Sequence, residues 1–130
     1  MSQEEHEAFS YLRLLLIVAG IALIPGGCMP ANHRPDAPVL PRDHYDFQVI
    51  TFQFLGFAIL DPDADSVAAR VAWGTGDTTD WTDFKASGDS VRFAKAWDLP
   101  GSFNLRAQAK DIHEELSRWS DAAVVNVTGK

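Results

Sequence analysis

Cysteine is nearly absent from this chain. Cys28 is the only one among 130 residues, so no intramolecular disulfide can form. Cysteine-rich zinc centres are excluded on the same ground, and His33 and His44, with no ligand-spaced partners, read as solvated. Positive charge is scarce too: 11 Lys and Arg face 18 Asp and Glu, a net charge of −7, and no basic stripe is present. Nucleic acid and anionic membrane surfaces are therefore poor partners, because there is no cationic row to release counterions. Catalytic patterns are missing as well. No serine occupies a G-x-S-x-G elbow, and Gly74-Thr75-Gly76 lacks the third glycine and following helix of a phosphate cradle. His113 neighbours Asp111 and Glu114 along the chain, which reads as a loop histidine rather than as half of a catalytic pair.

Long apolar runs are also lacking. The longest, Leu14 to Ile24, is short of the roughly twenty residues a spanning helix needs, but it suits the core of an export signal. Small residues, Gly26 and Gly27, then meet Cys28. This pattern resembles a bacterial lipoprotein signal, in which the cysteine is diacylated and becomes the first residue after cleavage. It departs from that pattern at Pro25, where an aliphatic residue is usual, and in the acidic leader carrying Glu4, Glu5 and Glu7. The resemblance implies a leader over 1–27, a lipid on Cys28, and a protein anchored in a membrane and facing the periplasm or cell surface. Pro30, Pro35, Pro38 and Pro41 follow closely, and such prolines hold a chain extended. Residues 28–45 are accordingly expected to be a stalk, and 46–130 the folded domain.

That domain is organised around Asp61 to Gly76, DPDADSVAARVAWGTG. Val67, Ala69, Val71 and Trp73 alternate with Ala68, Arg70 and Ala72, the signature of a strand with one buried face. Upstream, Phe47 to Leu60 reads as one long strand with Gly56 as a bulge or kink; Leu55, Phe57 and Ile59 point inward, Phe52 and Phe54 outward. Downstream, Val91, Phe93 and Trp97 share a side, Phe103, Leu105, Ala107 and Ala109 share another, and Trp119 to Thr128 forms the last strand with Ala123, Val125 and Val127 inward. Thr78 to Phe84, carrying Trp81, is a short polar strand or loop. About seven short strands separated by turns, without an amphipathic helix, predict an all-β, immunoglobulin-like antiparallel sandwich. Its expected core is Val71, Trp73, Phe93, Trp97, Phe103 and Leu105.

DPDADSVAARVAWGTGDTTDWT, SGDSVRFAKAW, PGSFNLRAQAKD and SRWSDAAVVNVT together resemble the PKD-type (polycystic kidney disease) immunoglobulin-like domain of bacterial and archaeal surface proteins. Trp73 stands at the family's core tryptophan, Gly74 and Gly76 at its turn glycines, Asp61, Pro62, Asp63 and Asp65 at its acidic turn, and Pro100-Gly101 at its later turn. Ala64, Thr75 and Phe103 replace a glycine, an acid and a tyrosine of the pattern. The resemblance implies a non-enzymatic module that spaces or orients other parts of a surface protein, or binds envelope proteins or polysaccharide. Fibronectin type III is the rival fold.

Two constellations are candidates for binding. Asp61, Asp63 and Asp65, with Asp77 as a helper, offer the oxygen ligands calcium takes. Ser66 and Ala72 stand where a helix-loop-helix calcium site needs glycine and glutamate, so that site is excluded; the simpler reading is a solvated turn, and no cofactor is required. Phe52, Phe54, Trp81 and Trp119 are the candidate binding surface. A carbohydrate- or protein-binding module predicts them close together, a spacer predicts them dispersed or buried.

Overall fold

The computed structural model describes residues 31–130. The leader over 1–27 and Cys28 lie outside the described residues. Among the described residues six strands form two sheets: β1 (His44–Gln48), β2 (Gln53–Ala58), β3 (Val67–Ala72), β4 (Ser90–Lys95), β5 (Gly101–Asp111) and β6 (Ala123–Thr128). One sheet has the order β1-β6-β5-β3, the other is the pair β2-β4. Pairing is antiparallel except for β1, which runs parallel to β6.

The two sheets enclose one core. Leu55, Phe57 and Val91 enter it from the smaller sheet, and Val71, Leu105, Ala107, Val125 and Val127 from the larger. Trp73 and Trp97 meet edge to face at 5.7 Å, and Phe93 stacks on Phe57 at 5.8 Å. Edge-to-face contacts suit the aromatic quadrupole, adding roughly 0.5–1.5 kcal/mol per pair beyond burial. Phe93 and Phe103 are only half-buried, packing at the margin of this core rather than in its centre.

The long strand expected over Phe47 to Leu60 is two strands in different sheets. The chain turns at Val49–Ile50, where the Val49 amide bonds the Thr128 carbonyl and the Ile50 amide bonds the Trp97 carbonyl. Ile50 takes φ 57°, a left-handed conformation unusual for a β-branched residue. Crossing between sheets is what this corner achieves, and no glycine or proline announces it. Gly56 is neither a bulge nor a kink: it pairs regularly with Arg92, and a Cβ there would make ordinary contact.

The seventh strand position is irregular. Residues 78–85 run beside β3 and bridge it only at Ala72–Thr78 and Val67–Lys85. Between those points Thr79 and Thr82 donate their amides to the Val71 and Ala69 carbonyls, while their hydroxyls accept the Val71 and Ala69 amides. The same device recurs on β5. Ser117 and Ser120 donate to the Ala109 and Ala107 carbonyls, and their hydroxyls accept the Ala109 and Ala107 amides at 2.9 Å. The last strand therefore begins at Ala123 rather than at Trp119. Each segment reads hydroxyl-x-Trp-hydroxyl, as Thr79-Asp80-Trp81-Thr82 and Ser117-Arg118-Trp119-Ser120. Ser120→Ala should strand the buried Ala107 amide and cost about 1–3 kcal/mol, read as a lower urea midpoint at unchanged slope.

The stalk expected over 28–45 also needs revision. Residues from Asn32 onward belong to the compact unit, which runs Asn32–Lys130. Pro35 and Pro38 are buried, the Asp36 amide bonds the Leu60 carbonyl, and Leu40 packs against the core. Proline does hold this segment extended, but its rings bury apolar surface, so the arm docks lengthwise instead of standing free.

Candidate functional site

Two acidic turns face the N-terminal arm, and they are built alike. Asp61 ends the β2 segment; its Oδ1 accepts the amides of Asp63 and Asp65, and its carbonyl accepts the amide of Ala64. Asp111 ends β5; its Oδ1 accepts the amides of His113 and Glu115, and its carbonyl accepts the amide of Glu114. Ala64 and Glu114, the fourth residue of each turn, both have positive φ, 58° and 68°. A short aspartate gripping its own loop is the physical reason both chain reversals close.

The arm crosses these turns. Asn32 donates its amide to Asp111 Oδ2 at 2.6 Å, and His33 donates its backbone amide to Asp63 Oδ2 at 2.7 Å, with its Nδ1 3.1 Å from Asp63 Oδ1. His113 Nε2 lies 3.5 Å from Asp65 Oδ2 and so joins one turn to the other. His113 thus pairs with an aspartate on the exposed surface, which is an ion-pair position rather than a nucleophile–base arrangement.

The two His33 hydrogen bonds, backbone first, hold the Asp63 carboxyl below its ordinary range. The folded pKa is depressed, so the contribution to arm docking is present above the ordinary carboxylate value and is lost as pH falls through the folded one. Protection of the His33 amide against hydrogen exchange should therefore persist to more acid pH than an ordinary aspartate allows, then collapse. Asp63→Asn should remove that pH dependence.

Asp61, Asp63 and Asp65 do converge: one ligand oxygen from each lies within 4.8 Å of the others. Asp77 does not join them. It sits in the turn after β3, where its carbonyl accepts the Trp73 amide, and the six residues of β3 put roughly 20 Å between the two turns.

The four candidate surface aromatics separate into two groups. Phe52 and Phe54, 71% and 60% exposed, lie on the smaller sheet's outer side, with Arg92 4.1 Å over Phe54. Trp81 and Trp119 lie on the outer side of the larger sheet, where both flank Arg70, its guanidinium 4.5 Å and 5.2 Å from their ring centres. Arg70 donates Nε and Nη2 to Gln108 Oε1, and Gln108 passes its amide to the Ser117 carbonyl. Lys110 continues the row over Trp81 at 4.8 Å. The outward alternation of β3 and β5 puts Arg70, Gln108 and Lys110 on this face. Arg70 and the two hydroxyl-x-Trp-hydroxyl repeats were visible in the sequence, but their meeting depends on sheet order.

Between the sheets, Tyr45, Phe47, Leu55, Trp73, Trp97 and Leu105 line a cavity of ≈ 10 Å³. That holds about one water molecule, not a substrate. Burial pushes the Tyr45 phenol above its ordinary pKa.

No family model and no curated protein matches the chain. Among solved structures it is similar to the PKD domain of an M14-like peptidase from a Thermoplasmatales archaeon, at 32% identity, covering 75% of this chain and 98% of that one, with a TM-score of 0.66. It also shares its fold with the CARDB domain of a Pyrococcus furiosus protein solved in complex with di-metal ions. There the identity is 12%, the coverage 77% and 99%, and the TM-score 0.55.

Proposed function

The chain belongs to the PKD-type immunoglobulin-like domains, and from that premise we propose that it is a non-enzymatic, exported module that acts as a spacer or protein-interaction unit at a membrane surface. The observation that carries this reading, in its spacer form first, is the division of the four candidate aromatics between two outer faces. A sugar platform wants several aromatic planes free and side by side. Here Trp81 and Trp119 already stack with Arg70, and Phe54 with Arg92.

The anchor in this proposal is a lipid on Cys28. Because Asn32 is already held by Asp111, at most Met29, Pro30 and Ala31 separate the lipid from the docked arm. At about 3.3–3.6 Å per residue the tether reaches roughly 14 Å, so the domain rides close to the bilayer instead of being lifted from it.

The carbohydrate reading is kept as a second one by the Trp81–Arg70–Trp119 row. A glycan array alongside cross-linking in native envelopes separates the two, using the full chain in detergent. Cross-linked envelope proteins with no retained glycan support the interaction module. A retained glycan that Trp81→Ala and Trp119→Ala release contradicts it.

A further inference from the structure

We propose that the Asp61 turn is a calcium site formed by Asp61, Asp63 and Asp65. Converging carboxylates alone would not carry this, since acidic turns are common without a cation. A second observation does. Asp61 is only 7% exposed, and its Oδ2 is buried with no hydrogen-bond partner. The same carboxylate places an oxygen within 4.8 Å of those of Asp63 and Asp65.

The Asp111 turn shows what such an oxygen ordinarily receives. There Oδ1 is engaged by the loop amides, as in Asp61, while Oδ2 takes the Asn32 side-chain amide at 2.6 Å. Asp61 repeats the loop bonds but has no counterpart to Asn32. A buried anionic oxygen without a donor is costly unless a cation or a bound water meets it, and two further carboxylates converging on the same turn favour the cation. Three carboxylates on one turn, all oxygen, fit calcium, which tolerates irregular geometry and completes its shell with backbone carbonyls and water. Zinc would favour nitrogen or sulfur ligands. His33 engages both carboxylate oxygens of Asp63 and His113 lies against Asp65 Oδ2, so calcium would compete with them.

Calorimetric titration of the full chain in detergent with calcium chloride, paired with thermal melts, tests this. Binding is expected with a dissociation constant of about 10⁻⁴–10⁻³ M, the range of extracellular modules, and the melting temperature should rise with calcium. Asp61→Asn keeps an acceptor for the loop amides but removes the charge, and should weaken binding about tenfold or more. Asp63→Asn, at an exposed position, is the companion should the first variant fail to fold, and it should show a similar loss. His33→Ala should bind calcium at least as tightly as the parent. Absence of heat and of any melting shift at about 10 mM calcium, well above that range, would overturn the proposal. So would unchanged binding in both aspartate variants, or a preference for zinc that His33→Ala and His113→Ala abolish.

Discussion

Gly74→Ala is expected to be among the most damaging single substitutions in the domain, costing about 3–4 kcal/mol. Gly74 takes φ +81°, and a Cβ there would lie 2.6 Å from both the amide nitrogen and the carbonyl oxygen of Asn104. Neither is the end of a flexible side chain, so relief requires moving β5 itself. Gly76 supplies the control. Its φ is +94°, yet a Cβ would meet nothing within 4 Å, so Gly76→Ala should cost only the conformational term, about 1–2 kcal/mol. Urea unfolding followed by far-UV circular dichroism measures both. Equal losses at the two positions would show that β5 does not press on this turn as described.

Trp73→Ala should rival it, at about 3–5 kcal/mol, through lost burial and the cavity left behind. Trp73 directly follows β3, with its ring edge on to both Trp97 and Phe93, at 5.7 Å and 6.4 Å, and so ties the larger sheet to the smaller. Each kcal/mol lowers the melting temperature of a domain this size by roughly 4–8 °C, so a drop of tens of degrees is expected. Against a total stability of about 5–15 kcal/mol, much of the population would unfold near physiological temperature. A melting temperature within a few degrees of the parent would mean that the two sheets are not joined chiefly through this ring.

The features legible in the sequence were those set by a local period. Val67, Ala69 and Val71 alternate along β3 and are all buried, as are Leu105, Ala107 and Ala109 on β5 and Ala123, Val125 and Val127 on β6, although Ala68 and Gln108, outward by the same period, are buried as well. A period of two maps directly onto a sheet face, and the residues that carried the PKD resemblance lie along these strands and their turns.

Features requiring long-range pairing were not legible. The apolar run from Phe47 to Leu60 reads the same on both sides of the Ile50 corner, because each half buries one face, in a different sheet. The prolines at 35 and 38 signal an extended backbone, but extension does not reveal that the arm is docked; that follows from Asn32 meeting Asp111 and His33 meeting Asp63 across the fold. Asp111 is locally indistinguishable from an ordinary loop acid, yet it is fully buried and holds both a turn and the arm. Nothing local in the sequence brings Trp81 and Trp119 together, since they flank β3 and β5 from opposite sides and meet through Arg70. The repeated hydroxyl-x-Trp-hydroxyl spacing was the available clue, and it marks strand edges satisfied by side-chain oxygens rather than by a regular neighbour.

The proposed function places a PKD-type module at a membrane, held there by an N-terminal lipid. Intact mass and detergent partitioning of the protein recovered from its native host test this most directly. The expected species begins at Cys28, carries the mass of a diacylglyceryl group and enters the detergent phase. A chain cut elsewhere, or one retaining residues 1–27 without added lipid, would contradict it.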